Sequence, residues 1–332
     1  MQKPDQSRFQ RFGGAYFLIV IGVHILALVA MLASTGQPEL PGLMLLAYSF
    51  GLRHAFDPDH IAAIDNTVRR LSPLRQSAQG SGFYFSMGHS TVVLTLAVGL
   101  AVAAGWVKGL IPSWQKLGGL IGSTISGVFL LVIGVINLVL WLQIASQSKN
   151  SPHLDKSPKG FFAKWLTPLL KRVDKSSQLY PVGLLFGLGF DTASEVALLA
   201  LSASTSSTLP WTGILALPLA FTAGMSLMDT ADGVAMTKAY GWALEAPVKR
   251  RPYNLTVTGI SVLAALGIGT VEIVQLLTTS LGLKSQILTW VSRIDLSNFG
   301  FILVAVLLGL WGLVMAVNSS RTKKGRKLWK TW

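Results

Sequence analysis

Residues 43–64, LMLLAYSFGLRHAFDPDHIAAI, decide how this chain is read. His54, Asp57, Asp59 and His60 stand within seven residues, between flanks that are otherwise apolar. Imidazole nitrogen together with carboxylate oxygen is a ligand set for a divalent transition metal. Ionisable groups inside a membrane segment are costly, so they read as functional by default. The plainer alternative, a group of charges in a surface loop, leaves similar polar clusters in later apolar segments unexplained.

The wider composition supports a membrane setting. Of 332 residues, 51% are hydrophobic and 13% charged, and the mean hydropathy is +0.53. A soluble domain carries about 25% charged residues. There are no cysteines, so disulfides and thiolate metal sites are excluded and N/O ligation is favoured. Eight apolar segments can be placed, at about 15–33, 41–66, 83–105, 117–142, 180–201, 211–240, 254–278 and 299–318. The first follows Lys3, Arg8 and Arg11 and no A-x-A site follows it, so it is expected to stay in place as a span.

The net charge of +14 does not point to nucleic acid, because the cations sit in alternate loops. One side collects the N-terminal tail, Arg69, Arg70 and Arg75, the basic segment from Lys149 to Lys175, Lys249 to Arg251, and the C-terminal tail from Arg321. The other side has only Lys108, Lys116, Lys284 and Arg293. By the positive-inside rule both termini are cytoplasmic and the number of spans is even. The expected organisation is a membrane half over 1–143, a basic cytoplasmic linker over 144–178, a second membrane half over 179–320 and a basic tail over 321–332. His153 in the linker reads as a solvated histidine.

An internal repeat is visible. Phe50-Gly51-Leu52 and Phe186-Gly187-Leu188 lie 136 residues apart, as do Phe85-Ser-Met-Gly88-His89-Ser90 and Phe221-Thr-Ala-Gly224-Met225-Ser226. Because span 2 runs inward and span 5 outward, spans 2–4 and 5–7 would be inverted relative to each other. Secondary transporters are often built this way, with the substrate site at the repeat interface. The fold class expected is therefore an all-α integral membrane protein of eight transmembrane helices with an inverted repeat.

The repeat carries the polar residues. On one helix His54, Asp57 and His60 would share a side, with Asp59 further round. Pro58 should kink or break that helix, and the freed carbonyl of His54 could join the ligands. Span 3 adds His89. Span 5 adds Asp191 and Glu195 on one helical face, with Thr192 and Ser194 able to orient them. Span 6 adds Asp229 and Asp232 beside Gly233, while Met225 and Met228 read as packing. The candidate metal-ligating set is His54, Asp57, Asp59, His60, His89, Asp191, Glu195, Asp229 and Asp232. A structural metal would not need this excess of acid, whereas a pathway that attracts and dehydrates a cation would. His24, Asn137, Glu272 and Gln275 are secondary candidates and read as interhelical hydrogen-bonding residues.

Taken together, these motifs resemble those of the NiCoT family of nickel/cobalt transporters. His54, Asp59 and His60 match its H-x4-D-H signature. Met87-Gly-His-Ser-Thr-Val-Val93, Leu188-Gly-Phe-Asp-Thr-Ala-Ser-Glu195 and Gly224-Met-Ser-Leu-Met-Asp-Thr-Ala-Asp-Gly233 look like its further motifs. Pro58, Ser194 and Met87 depart from the residues usual there. The resemblance implies uptake of Ni²⁺ or Co²⁺ across the cytoplasmic membrane, with the metal as substrate rather than cofactor and the signature residues essential. The partners expected are the metal ion and the lipid bilayer, with no nucleic acid and no evident ATPase subunit. No P-loop is present, so the membrane potential or proton coupling would drive transport.

Three rival readings compete with this one. An exporter would use the same site in the opposite direction, though the single histidine of the linker favours import. A membrane acyltransferase could use His54-x4-Asp59 but leaves His60 and the later carboxylates idle. An intramembrane aspartyl protease fits Gly187-Leu-Gly-Phe-Asp191 poorly, because the spacing is wrong.

Overall fold

The computed structural model describes residues 6–34, 36–72, 78–102, 111–146, 174–188, 198, 209–245, 251–282, 285–296 and 298–328. Among these residues there are helices and no strands. In chain order the α-helices are α1 (Gln6–Leu32), α2 (Leu40–His54), α3 (Pro58–Leu71), α4 (Ser81–Val102), α5 (Ile111–Ser146), α6 (Leu179–Gly187), α7 (Trp211–Glu245), α8 (Arg251–Leu281), α9 (Gln286–Ser292) and α10 (Phe299–Leu328). Four contain stretches long and apolar enough to cross a membrane: Gly14–Leu32, Leu120–Val139, Trp211–Trp242 and Pro252–Leu281. Phe299–Leu313 is a shorter apolar stretch.

Most predicted segments coincide with helices to within a few residues. The segment at 180–201 is described mainly over Leu179–Gly187, and 189–197 lies outside the described residues. Some boundaries differ from expectation, as where α1 begins at Gln6 rather than near residue 15. The α10 helix continues to Leu328, through most of the expected tail, and α9 lies in a stretch where no helix was expected.

The second apolar segment is not one helix. Proline has no N–H and disfavours helical backbone in the residue before it. Asp57 accordingly adopts φ −64°, ψ 140° and serves as N-cap residue of α3, with Pro58 in its first turn. The His54 carbonyl that Pro58 would strike accepts the Asp57 N–H at 2.9 Å. The predicted break is present, and this turn occupies the His54 carbonyl.

Glycines set how closely the helices cross. A Cβ on Gly51 of α2 would lie 2.0 Å from the Phe221 carbonyl oxygen of α7, and one on Gly224 of α7 would lie 2.5 Å from the Tyr48 carbonyl of α2. The α4–α6 crossing has the same construction. There Gly183 faces the Phe85 carbonyl at 1.9 Å and Gly88 faces the Tyr180 carbonyl at 2.0 Å. Small residues of this kind let helix backbones touch where no hydrophobic force holds them together in lipid. Outward, α1 exposes Leu18, Ile21, Ile25, Leu28 and Leu32, the all-round apolar surface of a lipid-facing helix.

Two large apolar clusters stand out among the described residues. One gathers α3 residues such as Ile61 and Ile64 with Phe85, Leu130, Met236 and Ile268. The other gathers Leu40 and Met44 of α2 with Leu217, Phe221 and Met225 of α7. Asn137 of α5 crosses to α3 and donates to Asn66 Oδ1 at 2.7 Å, the interhelical role expected of it. Gln275 of α8 donates instead to the Ile294 carbonyl, in the connection after α9, at 3.0 Å. Interhelical hydrogen bonds in membranes contribute about 0.6 kcal/mol on average and up to about 1.7 kcal/mol. Asn137→Ala should therefore destabilise the detergent-solubilised protein by about 0.6–1.7 kcal/mol, read as a lowered thermal midpoint. An unchanged midpoint would mean that the Asn66 contact contributes nothing.

Candidate metal centre

The break between α2 and α3 does more than end a helix. It leaves His54 at the last position of α2 and His60 in the first turn of α3, with Asp57 in the connection. An unbroken helix would put His54 and His60 almost two turns apart. Here their ring centroids are 4.5 Å apart.

His89 arrives from α4. Its Nε2 lies 3.1 Å from His54 Nε2, and its ring centroid lies 4.9 Å from that of His60. One nitrogen from each of His54, His60 and His89 falls within 4.8 Å of the others. All three residues are at most 2% exposed. Imidazole nitrogens about 2.0–2.1 Å from a shared metal must lie roughly 3 Å apart, so the spacing suits a metal after a small inward movement of His60.

Carboxylates back two of the rings. His54 Nδ1 is 2.8 Å from Asp57 Oδ2, which leaves Nε2 turned toward the other histidines. His60 Nδ1 is 3.4 Å from Asp229 Oδ2 of α7. Neither His60 nitrogen makes a hydrogen bond among the described residues. A histidine that ligates a metal commonly offers its second nitrogen to a carboxylate, which sets the ring's tautomer and orientation. Phe85 meets the His60 ring edge-on, with centroids 4.8 Å apart, and Phe221 lies 5.6 Å from His54. These aromatic walls lower the local dielectric and strengthen any charge–ligand interaction.

The predicted set is thus only partly gathered. His54, Asp57, His60, His89 and Asp229 come together. Asp59 is half-buried and its Oδ1 accepts the His60 backbone N–H at 2.9 Å. Asp232 lies about one helical turn beyond Asp229, and its carboxylate oxygens are buried without a hydrogen bond among the described residues. Asp191 and Glu195 lie outside the described residues. His24 is engaged elsewhere: Nδ1 contacts the Val20 carbonyl at 2.8 Å and Nε2 the Tyr48 hydroxyl at 3.4 Å. Met225 and Met228 belong to the apolar packing, as expected.

Asp65 and Arg69 were not recognised as site residues from the sequence. Arg69 counted among loop cations, yet it lies on α3 and is only 8% exposed. The i,i+4 spacing of Asp65 and Arg69 on an otherwise apolar helix face was the available signal.

A bundle of apolar helices of this length is a multi-pass membrane protein, and its three buried histidines form a cluster able to hold a metal ion. The match to known proteins is specific. The family model NicO, high-affinity nickel-transport protein, matches residues 40–317, and the chain belongs to this family of nickel transporters. It is 44% identical over 307 residues to the nickel transporter NixA of Staphylococcus aureus, covering 89% of this chain and 91% of the relative. It is 41% identical over 306 residues to the high-affinity nickel-transport protein NixA of Helicobacter pylori, covering 88% and 92%. The cobalt transport protein NhlF of Rhodococcus rhodochrous is 39% identical over 275 residues, with 78% of each chain covered. No solved structure gives a significant match. The family is one of transporters and not enzymes, so the acyltransferase and protease readings fall.

Proposed function

We propose that this chain is a secondary transporter that imports Ni²⁺, and Co²⁺ as a second substrate, across the cytoplasmic membrane. The observation that carries the reading is the convergence of His54, His60 and His89 from three different helices, in a chain whose relatives are named nickel and cobalt transporters. His54, His60 and His89 bind the dehydrating ion directly. Asp57 and Asp229 act one step behind them, Asp57 holding the His54 ring by its Nδ1 and Asp229 facing His60 Nδ1 at 3.4 Å. Asp59, Asp232, Asp191 and Glu195 attract the ion or relay it. The membrane potential, worth about 2.3 kcal/mol per charge per 100 mV, or proton coupling supplies the energy.

The reading includes eight spans, cytoplasmic termini, a linker over 144–178 and an inverted repeat of spans 2–4 and 5–7. The two glycine crossings support the repeat. Helix α2 of the first unit packs on α7 of the second, and α6 of the second packs on α4 of the first, through Gly51–Phe221 and Gly183–Phe85. Phe85 and Phe221 keep the offset of 136, but the partner of Gly51 in this arrangement is Gly183, at 132. The Phe-Gly-Leu match to Gly187 is thus one helical turn out of register with the packing. The metal site falls where the exchanged helices meet, as in transporters built from inverted repeats. Rocking one unit against the other would open the site to either face.

The test is accumulation of radiolabelled Ni²⁺ and Co²⁺ by cells that lack their own high-affinity uptake. Cells expressing the protein should accumulate nickel above empty-vector cells. Less label than in the empty vector would reverse the direction to export, and equal label for both metals would refute transport of either.

A further inference from the structure

A second buried polar cluster lies on the same two helices as the metal centre, toward their other ends. Arg69 is nine residues beyond His60 on α3, about 13 Å along the axis, and Tyr240 is eleven residues beyond Asp229 on α7, about 16 Å. Arg69 Nη1 donates to Thr258 Oγ1 at 2.5 Å, and Nη2 donates to Ser261 Oγ at 2.9 Å and to the Tyr240 hydroxyl. The guanidinium carbon lies 4.2 Å from the Tyr240 ring centroid. Tyr240 in turn donates to Asp65 Oδ1, the acid that pairs with Arg69 at 3.9 Å. Asp65, Arg69, Tyr240 and Ser261 are all buried.

Arginine stays charged in proteins, and burying its charge is costly unless it is paired and hydrogen-bonded. This guanidinium is held by three helices, α3, α7 and α8, and it ties together the helices that bring His60 and Asp229 to the metal centre. A divalent cation leaving the histidines toward this end would meet a fixed positive charge. Between the histidines and that charge lie Asp65 Oδ2 and both Asp232 oxygens, buried and without hydrogen bonds among the described residues. They are suited to a cation once Arg69 withdraws.

We propose that Arg69, clamped by Asp65, Tyr240, Thr258 and Ser261, is the inner gate of the ion path. The clamp holds α3, α7 and α8 together in the closed form; its release separates them, removes the repelling charge and frees Asp65 to receive the ion. This rests on the transporter reading above and adds to it the element that moves.

The chain has no cysteine, so one introduced thiol reports access without background. Met236 is fully buried and lies on the α7 face between Asp229 and Tyr240. The full chain carrying Met236→Cys is treated with a membrane-impermeant cationic thiosulfonate, in intact cells and in inverted membrane vesicles. With the gate intact the thiol should react slowly from both faces. Adding Arg69→Gln should raise the rate from the cytoplasmic face about tenfold or more, as a shift toward the open population requires. Tyr240→Phe, which removes one hydroxyl, should act in the same direction to a smaller extent, and it carries the test if Arg69→Gln does not reach the membrane. An unchanged rate in the inserted double variants, or an increase only from the outer face, overturns the gate. Nickel uptake by the single Met236→Cys protein is measured in parallel. Uptake with unchanged labelling defeats the gate alone, whereas absence of uptake by the unsubstituted protein defeats the transport reading.

Discussion

His54→Ala and His60→Ala are each expected to reduce nickel accumulation to the level of cells without the protein. Each removes one of three buried imidazoles whose nitrogens lie within 4.8 Å of one another. Each also leaves a carboxylate without its ring: Asp57 after loss of His54, Asp229 after loss of His60. The ion must exchange its hydration shell for protein ligands, so losing one of three nitrogens leaves a site that does not repay dehydration. Asp57→Asn should do less, because an amide can still accept from His54 Nδ1 but supplies no charge. Changing residues behind the ligands typically costs about 10–100-fold in metal affinity. The check is concentration-dependent uptake of radiolabelled Ni²⁺ together with membrane abundance of each variant. Wild-type uptake by His54→Ala or His60→Ala at equal abundance would remove the histidines from the transport site. An Asp57→Asn variant as inactive as His54→Ala would make Asp57 a direct ligand.

The second large effect is expected at Gly82, where the metal centre depends on backbone contact between helices. A Cβ at Gly82 of α4 would lie 1.7 Å from the Asp229 carbonyl oxygen of α7. No rotamer change relieves that contact, because the group in the way is backbone. Gly82→Ala must push α4 from α7, and with it His89 from Asp229 and His60. Overpacking of this kind costs about 1–3 kcal/mol, and misplacement of about 1 Å can cost a site roughly 100-fold. The variant should show a lowered thermal midpoint and a loss of nickel uptake of up to about 100-fold. Gly267→Ala is the comparison, since a Cβ there meets nothing within 4 Å, and alanine should stabilise the helix by about 0.5–1 kcal/mol. A Gly82→Ala protein with the melting behaviour and uptake of the unsubstituted chain would show that the α4–α7 contact does not position the centre.

Much of the centre was legible locally. His54, Asp57, Asp59 and His60 stand together in the sequence, and Pro58 announces the break that lets two of them turn toward one another. The repeat drew attention to His89 and to Gly88 beside it. The roles of the acids were not legible. Asp57 and Asp229 lie 172 residues apart, and only folding puts one behind His54 and the other behind His60. Arg69 was hidden for a different reason. Beside Arg70 and Arg75 it has the composition of a cytoplasmic loop cation, and its burial depends on Tyr240, Thr258 and Ser261, which come from helices far along the chain. The repeat shows the same division. The matching motifs suggest it, but the close approach that gives Gly183 rather than Gly187 the role of Gly51 depends on which backbone touches which.

By itself the sequence determined the membrane setting, the helical segments, the break at Pro58 and a local cluster of histidines and carboxylates of the kind that binds transition metals. These follow from partitioning, backbone sterics and ligand chemistry, which act on neighbouring residues. Only the tertiary structure decided that three histidines converge, that two acids stand beside them and that Arg69 is buried among α3, α7 and α8. Those outcomes depend on distances between residues tens to hundreds of positions apart. Glycine crossings set such distances to within an ångström, and a linear pattern does not encode them.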